Sequence, residues 1–126
     1  MNTHFFHLTT TVQELRGENG CPWDKRQTTT SLVKYLRSEF AELLTAIENE
    51  DTENLCEELG DLLFLIVMIA QINHEEGKFS IEEVLSGVTE KLIRRHPHVF
   101  AGVKIANEQE LQEQWQRIKT LEKSKK

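Results

Sequence analysis

Only two prolines and six glycines interrupt this chain of 126 residues. That is too few for a loop-rich or many-stranded architecture, and it argues for long uninterrupted elements. Cysteine is equally sparse: Cys21 and Cys56 form no CxxC pair and no zinc spacing. A disulfide scaffold is therefore disfavoured and a reduced, cytoplasmic setting is expected. The longest apolar run, residues 62–70, has nine members, about half of what a bilayer-spanning helix needs. Residues 1–11 lack the basic stretch and apolar core of a secretory leader. With 38% hydrophobic and 29% charged residues the composition is instead that of a folded globular protein, and the length suits one domain, 1–126. The net charge of -6 disfavours general nucleic-acid binding. An acidic protein that takes anionic substrates needs a metal or a local basic patch.

What is present is helical periodicity. A short helix is expected over residues 9–16, ended by the turn residues Gly17-Glu18-Asn19-Gly20, with Cys21-Pro22-Trp23-Asp24 as a loop after it. Leu32, Leu36, Phe40, Leu43, Leu44 and Ile47 recur at helical spacing through residues 29–48. Residues 49–52 read as a break. Asp51 is placed to cap a second long helix over residues 52–76, which Gly77 stops. The middle of that helix is apolar all round, which calls for burial on every side and so for another subunit. Ser80-Ile81-Glu82-Glu83 has capping-box spacing and opens a helix to about residue 95, which His96-Pro97-His98 ends. A last helix over residues 107–121 presents Leu111, Trp115 and Ile118 on one side, and residues 122–126 are expected to fray. No repeat and no strand pattern is visible. The expected fold class is all-α, a helical bundle built on a long antiparallel helix pair and completed by dimerisation.

The chemistry sits in two acidic steps, Glu39-Phe40-Ala41-Glu42 and Glu58-Leu59-Gly60-Asp61, placed symmetrically about residue 50. Residues three apart share a helix face. If the two long helices pack antiparallel at about 8–10 Å, the four carboxylates meet at one height. Left empty, such a cluster repels itself; a divalent cation relieves the repulsion and supplies the field that a polyphosphate needs. All-oxygen ligands favour Mg²⁺, with Mn²⁺ as a substitute. A di-iron bundle would place His three residues after Glu, and neither step does so. The plainer explanation is that these acids are the wetted face of amphipathic helices. Gly60, which costs a helix about 1 kcal/mol relative to alanine, hints at close approach by a backbone or ligand. Glu57 reads as outward or as support for the other acids.

Basic and aromatic groups follow later. Lys91 and Arg95, and Trp115 and Lys119, are i, i+4 pairs suited to phosphate and base contacts, although surface charge and core packing explain them equally well. Asp24 and Lys25, beside Trp23, could close the mouth of a pocket or latch the loop. His96 and His98 mark a helix end and a turn.

Taken together, Asn19-Gly20-Cys21-Pro22-Trp23-Asp24, Glu39-Phe40-Ala41-Glu42, Glu57-Glu58-Leu59-Gly60-Asp61-Leu62-Leu63 and Arg94-Arg95-His96-Pro97-His98-Val99-Phe100 closely resemble the MazG family of nucleoside triphosphate pyrophosphohydrolases. The resemblance covers roughly residues 15–119. It implies an all-α obligate homodimer, sometimes a higher oligomer, and Mg²⁺-dependent cleavage between the α and β phosphates to nucleoside monophosphate and pyrophosphate. Clearance of non-canonical nucleotides is one role open to that activity. Glu39, Glu42, Glu58 and Asp61 match the family's metal-binding carboxylates; Lys91, Arg95, Trp115 and Lys119 match positions tied to substrate binding. Ser38 departs from the family, which usually has Glu directly before the first motif glutamate, and this bears on metal number and water positioning. Two other readings stand beside it: a non-catalytic helical dimer that binds nucleotides or a regulatory partner, and a pyrophosphatase restricted to dUTP or dCTP.

Overall fold

A computed structural model describes residues 2–125, as seven helices with no strand among the described residues. They are α1 (Asn2–Leu15), α2 (Pro22–Arg26), α3 (Val33–Glu48), α4 (Thr52–Glu75), α5 (Ile81–Arg95), α6 (Pro97–Phe100) and α7 (Glu108–Ser124). The all-α expectation holds. The chain forms two compact units, one ending at Ile81 and one beginning at Glu82.

In the first unit α3 packs along α4, and α1 lies against α4 as well. The turn between α3 and α4 falls where the acidic symmetry requires it. Glu50 takes φ 52, its N–H donates to Ile47 O at 3.1 Å, and the Asp51 N–H donates to Ala46 O at 3.1 Å. These are the paired closing bonds of a Schellman motif, which satisfy carbonyls that the helix end leaves open. Asp51 then caps α4, its carboxylate accepting from the Asn54 N–H at 3.2 Å. The far end of α4 closes in the same way on Gly77, at φ 74, with Gly77 N–H to His74 O at 3.0 Å and Lys78 N–H to Asn73 O at 2.9 Å.

The core is Val12, Leu32, Leu65, Val67, Met68 and Ile72, with Phe5, Leu8, Trp23 and Tyr35 packed against it. This explains why α1 starts at Asn2 and not at residue 9. The β-branched run Thr9-Thr10-Thr11 is a poor helix former, but Phe5, Leu8 and Val12 share a face that tertiary packing secures. Thr9 and Thr11 bond back to Phe6 O and His7 O at 2.9 and 2.7 Å. The expected loop at Cys21-Pro22-Trp23-Asp24 is in part a helix, because Pro22 at its first position is already held near helical φ. Trp23 stands edge-on to Tyr35 with ring centroids 5.2 Å apart. At Gly20 an added Cβ would lie 2.1 Å from Leu15 O, so no larger residue fits this turn.

Among the described residues of the first unit, the apolar middle of α4 is covered on one side only. Leu65, Val67, Met68 and Ala70 are buried, whereas Leu59, Leu63 and Ile66 stay exposed, as do Phe40, Leu44 and Ile47 of α3.

In the second unit α5 ends at Arg95, as Pro97 requires. The chain does not simply leave the helix there, because Pro97 starts the extra turn α6. Asn107 caps α7 by accepting from the Glu110 N–H at 2.9 Å. Helix α7 runs to Ser124, past the residue 121 end expected from the sequence, and Glu122 is tied down instead of frayed. No helix among the described residues is long and apolar enough to cross a membrane.

Candidate functional site

The α3–α4 pairing gathers the acidic steps. Carboxylate oxygens of Glu39, Glu58 and Asp61 lie within 4.8 Å of one another. Glu42 belongs to the same cluster, its carboxylate within hydrogen-bonding reach of Glu58 and of Glu39. Among the described residues, Glu39 Oε2 and Glu58 Oε2 are buried and find no hydrogen-bond partner. An anionic oxygen hidden from water and unpaired is costly, and the cluster therefore fits a cation.

Electrostatics agree. Burial, then the hydrogen bond with the Glu42 side chain, then the charges of Glu42, Glu39 and Asp61 raise the Glu58 carboxyl from its ordinary 4.5 to about 7. Glu39 is pushed upward too, by burial first and then by Glu42 and Asp61. Oxygen-only donors at this spacing suit a hard divalent ion better than a thiophilic one.

An open cleft of about 380 Å³ adjoins the cluster, lined by Ala41, Glu42, Thr45, Asn54 and Glu58. Thr45 and Asn54 escaped the sequence reading. They lie three residues after Glu42 and four before Glu58, so helical spacing already put them on the site's face. Among the described residues, nothing beyond the neighbouring helix backbone comes within 4 Å of where a Cβ would sit at Gly60, so no other segment of this chain approaches that glycine closely. Ser38 is exposed on the turn before Glu39.

Asp24 and Lys25 lie beyond α1, in the α2 segment. Asp24 is buried and its carbonyl accepts from Arg16 Nη1 at 2.5 Å, while Lys25 Nζ donates to Glu18 O at 3.0 Å. The remaining candidates belong to the second unit. Lys91, Arg95 and Lys119 line a groove of about 570 Å³ together with Arg94, Glu122 and Lys123. Lys119 Nζ stands 5.2 Å from the centre of the Trp115 ring, a cation–π contact that leaves the indole about half exposed. Gln114, buried, meets His98 Nδ1 at 3.2 Å. Glu122 is the residue the sequence reading missed here. It lies 27 positions from Arg95, and no local spacing connects them.

A model described as the MazG nucleotide pyrophosphohydrolase domain matches residues 27–100. The nucleoside triphosphate pyrophosphohydrolase of Escherichia coli (strain K12) is 47% identical over 120 residues, which cover 94% of this chain and 46% of that protein. The nucleoside triphosphate pyrophosphohydrolase/pyrophosphatase MazG of Thermotoga maritima is 44% identical over 122 residues, 97% of this chain and 46% of that protein. The uncharacterized protein YabN of Bacillus subtilis is 50% identical over 113 residues, 90% of this chain and 23% of that protein. The chain thus spans between about a quarter and a half of the length of these relatives. Among solved structures, a mazG-related protein from Thermotoga maritima superposes with a TM-score of 0.76 at 29% identity, covering 90% of this chain and 97% of that one.

Proposed function

The chain belongs to the MazG nucleotide pyrophosphohydrolase family, and on that premise we propose that it hydrolyses nucleoside triphosphates to nucleoside monophosphate and pyrophosphate. The observation that carries this reading is the cluster of Glu39, Glu58 and Asp61, with its two buried, unpartnered oxygens. Those three residues, with Glu42, would hold Mg²⁺ or Mn²⁺. Bound there, the ion supplies charge neutralisation for the triphosphate and lowers the pKa of a water.

The chain's own residues do the rest. Water adds to the α phosphorus, and the bond from that atom to the α–β bridging oxygen breaks. The bridging oxygen departs with pyrophosphate. Glu42 is the carboxylate outside the tight triad and within reach of Glu58, which suits it to take the proton from the attacking water. Lys91, Arg95 and Lys119 meet the charge that builds on the leaving pyrophosphate, and Trp115 offers a half-exposed ring to a base or sugar. Asp24 stays buried in the α2 segment and Lys25 Nζ donates to Glu18 O, so we assign neither a part in this step.

We read residues 1–126 as one functional module that works as a homodimer in the cytoplasm. The apolar stripes Phe40, Leu44, Ile47 and Leu59, Leu63, Ile66 support a subunit contact along α3 and α4. Non-canonical triphosphates are the substrate class we favour for a cleansing role. The test is pyrophosphate release from a panel of ordinary, deoxy, deaminated and oxidised triphosphates with Mg²⁺. Release that depends on the metal and vanishes in Glu58→Gln is expected. Nucleotide binding without turnover of any member would leave a binding module instead.

A further inference from the structure

Glu122 of α7 lies between two neighbouring arginines of α5. Its Oε2 accepts from Arg94 Nε at 2.5 Å; its Oε1 accepts from Arg95 Nη2 at 2.9 Å and from Arg95 Nε at 3.3 Å. The Arg95 and Glu122 side chains are 20% and 19% exposed, against 50% for Arg94. The hydrogen bonds from Arg95, then those from Arg94, hold the Glu122 carboxyl down at about 2. Glu122 is thus an anion throughout the physiological range. Among the described residues it is also the lone carboxylate in a groove whose other charged lining residues are all lysine or arginine.

A guanidinium carries five N–H donors in a rigid fork. The carboxylate engages the Nε edge of Arg95 and one N–H of Nη2, and it leaves the Nη1 side of the fork unused. An arginine gripped on one edge has already given up the rotamer freedom that it would otherwise lose on meeting a ligand. A neighbouring cation would also drive Arg95 away from Arg94 unless an anion stood between them.

We infer that Glu122 is a positioning residue: it anchors Arg95 by the inner edge so that the outer N–H groups are presented to phosphate oxygens in the groove. This rests on the reading of Arg95 as a group that receives the leaving pyrophosphate. The opposite role, in which Glu122 competes with phosphate for the arginines, predicts the reverse sign in the same measurement.

The experiment compares wild type, Glu122→Gln, Glu122→Asp, Arg95→Ala and the double variant Glu122→Gln/Arg95→Ala. Steady-state kcat and KM for pyrophosphate release are measured, and so is equilibrium binding of inorganic pyrophosphate in Mg²⁺. Glu122→Gln should raise KM and the pyrophosphate Kd by about five- to tenfold while kcat changes by less than about threefold. Glu122→Asp keeps the charge and should recover part of the loss; it carries the same test if the amide variant does not fold. In the Arg95→Ala background the amide should add less than about a further twofold, because its effect runs through that arginine. An unchanged KM in Glu122→Gln alongside a raised one in Arg95→Ala would overturn the positioning role and leave the Arg95 assignment standing. Tighter pyrophosphate binding in Glu122→Gln would overturn it in favour of competition. Wild-type behaviour in Arg95→Ala would remove the assignment itself, and the inference with it.

Discussion

Arg16 and Glu75 meet fork to fork across 59 positions of sequence, Nε to Oε2 at 3.0 Å and Nη2 to Oε1 at 2.9 Å. The third nitrogen of the same guanidinium donates to two backbone carbonyls, Asp24 O at 2.5 Å and Gln27 O at 3.2 Å. One side chain at the end of α1 therefore fastens the α2 segment to the end of α4. Arg16 is 9% exposed and Glu75 39%, so the carbonyl bonds matter more to stability than the half-solvated ion pair does.

Replacing Arg16 with methionine keeps most of the stem and strands those carbonyls. The expected loss is about 1–3 kcal/mol in chemical denaturation. The arginine's hydrogen bond to Glu75 is also the main reason its carboxyl is lowered. A lowered carboxyl contributes stability above its ordinary range that is lost as pH falls through the folded value, so the gap between wild type and Arg16→Met should narrow in acid. A gap that is constant with pH would show that the pair itself contributes nothing.

Glu58 has the opposite sign. Its folded value of about 7 stands above the ordinary 4.5, so the fold favours the protonated form. The associated stability is present at low pH and is lost as pH rises from about 4.5 through about 7. Metal-free protein should melt at lower temperature at pH 8 than at pH 5. Glu58→Gln should flatten that slope, melt higher at pH 8, and lose turnover by at least about 100-fold. Added Mg²⁺ should raise the wild-type Tm at pH 8 and leave the variant unmoved. An identical pH slope in the two proteins would show that the cluster's repulsion is not what is being relieved.

Glu50 adopts a left-handed backbone conformation that disfavours any side chain. Glu50→Gly should stabilise the α3–α4 hairpin by about 0.5–1 kcal/mol, the relief at φ 52 being partly offset by the looser unfolded chain. Activity should be unchanged, because the substitution lies outside the carboxylate cluster. Urea midpoints for the two proteins decide it; a destabilised glycine variant would mean that the Glu50 side chain has a role of its own.

Leu63 and Ile66 leave 39% and 42% of their surface open on the long helix. If a second copy covers them, Leu63→Lys with Ile66→Lys should shift sedimentation from dimer to monomer at micromolar concentration while far-ultraviolet helicity is largely retained. A wild-type protein that sediments as a monomer over the same range would end the dimer proposal.

Periodicity and turn chemistry were enough, from the residues alone, to establish an all-helical chain, the hairpin hinged at Glu50, the Asp51 cap, the Gly77 stop and the pairing of Glu39 and Glu42 with Glu58 and Asp61. All of these are local rules of spacing, and local rules act within a few residues. They could not show that Phe5 and Leu8 would find the α4 core and pull α1 back to Asn2, nor that Glu58 would be buried with an unpartnered oxygen while Asp61 stayed exposed. Nor could they connect Arg16 to Glu75, or Glu122 to the arginines of α5. Those partners lie tens of residues apart, and only packing brings them within hydrogen-bonding distance.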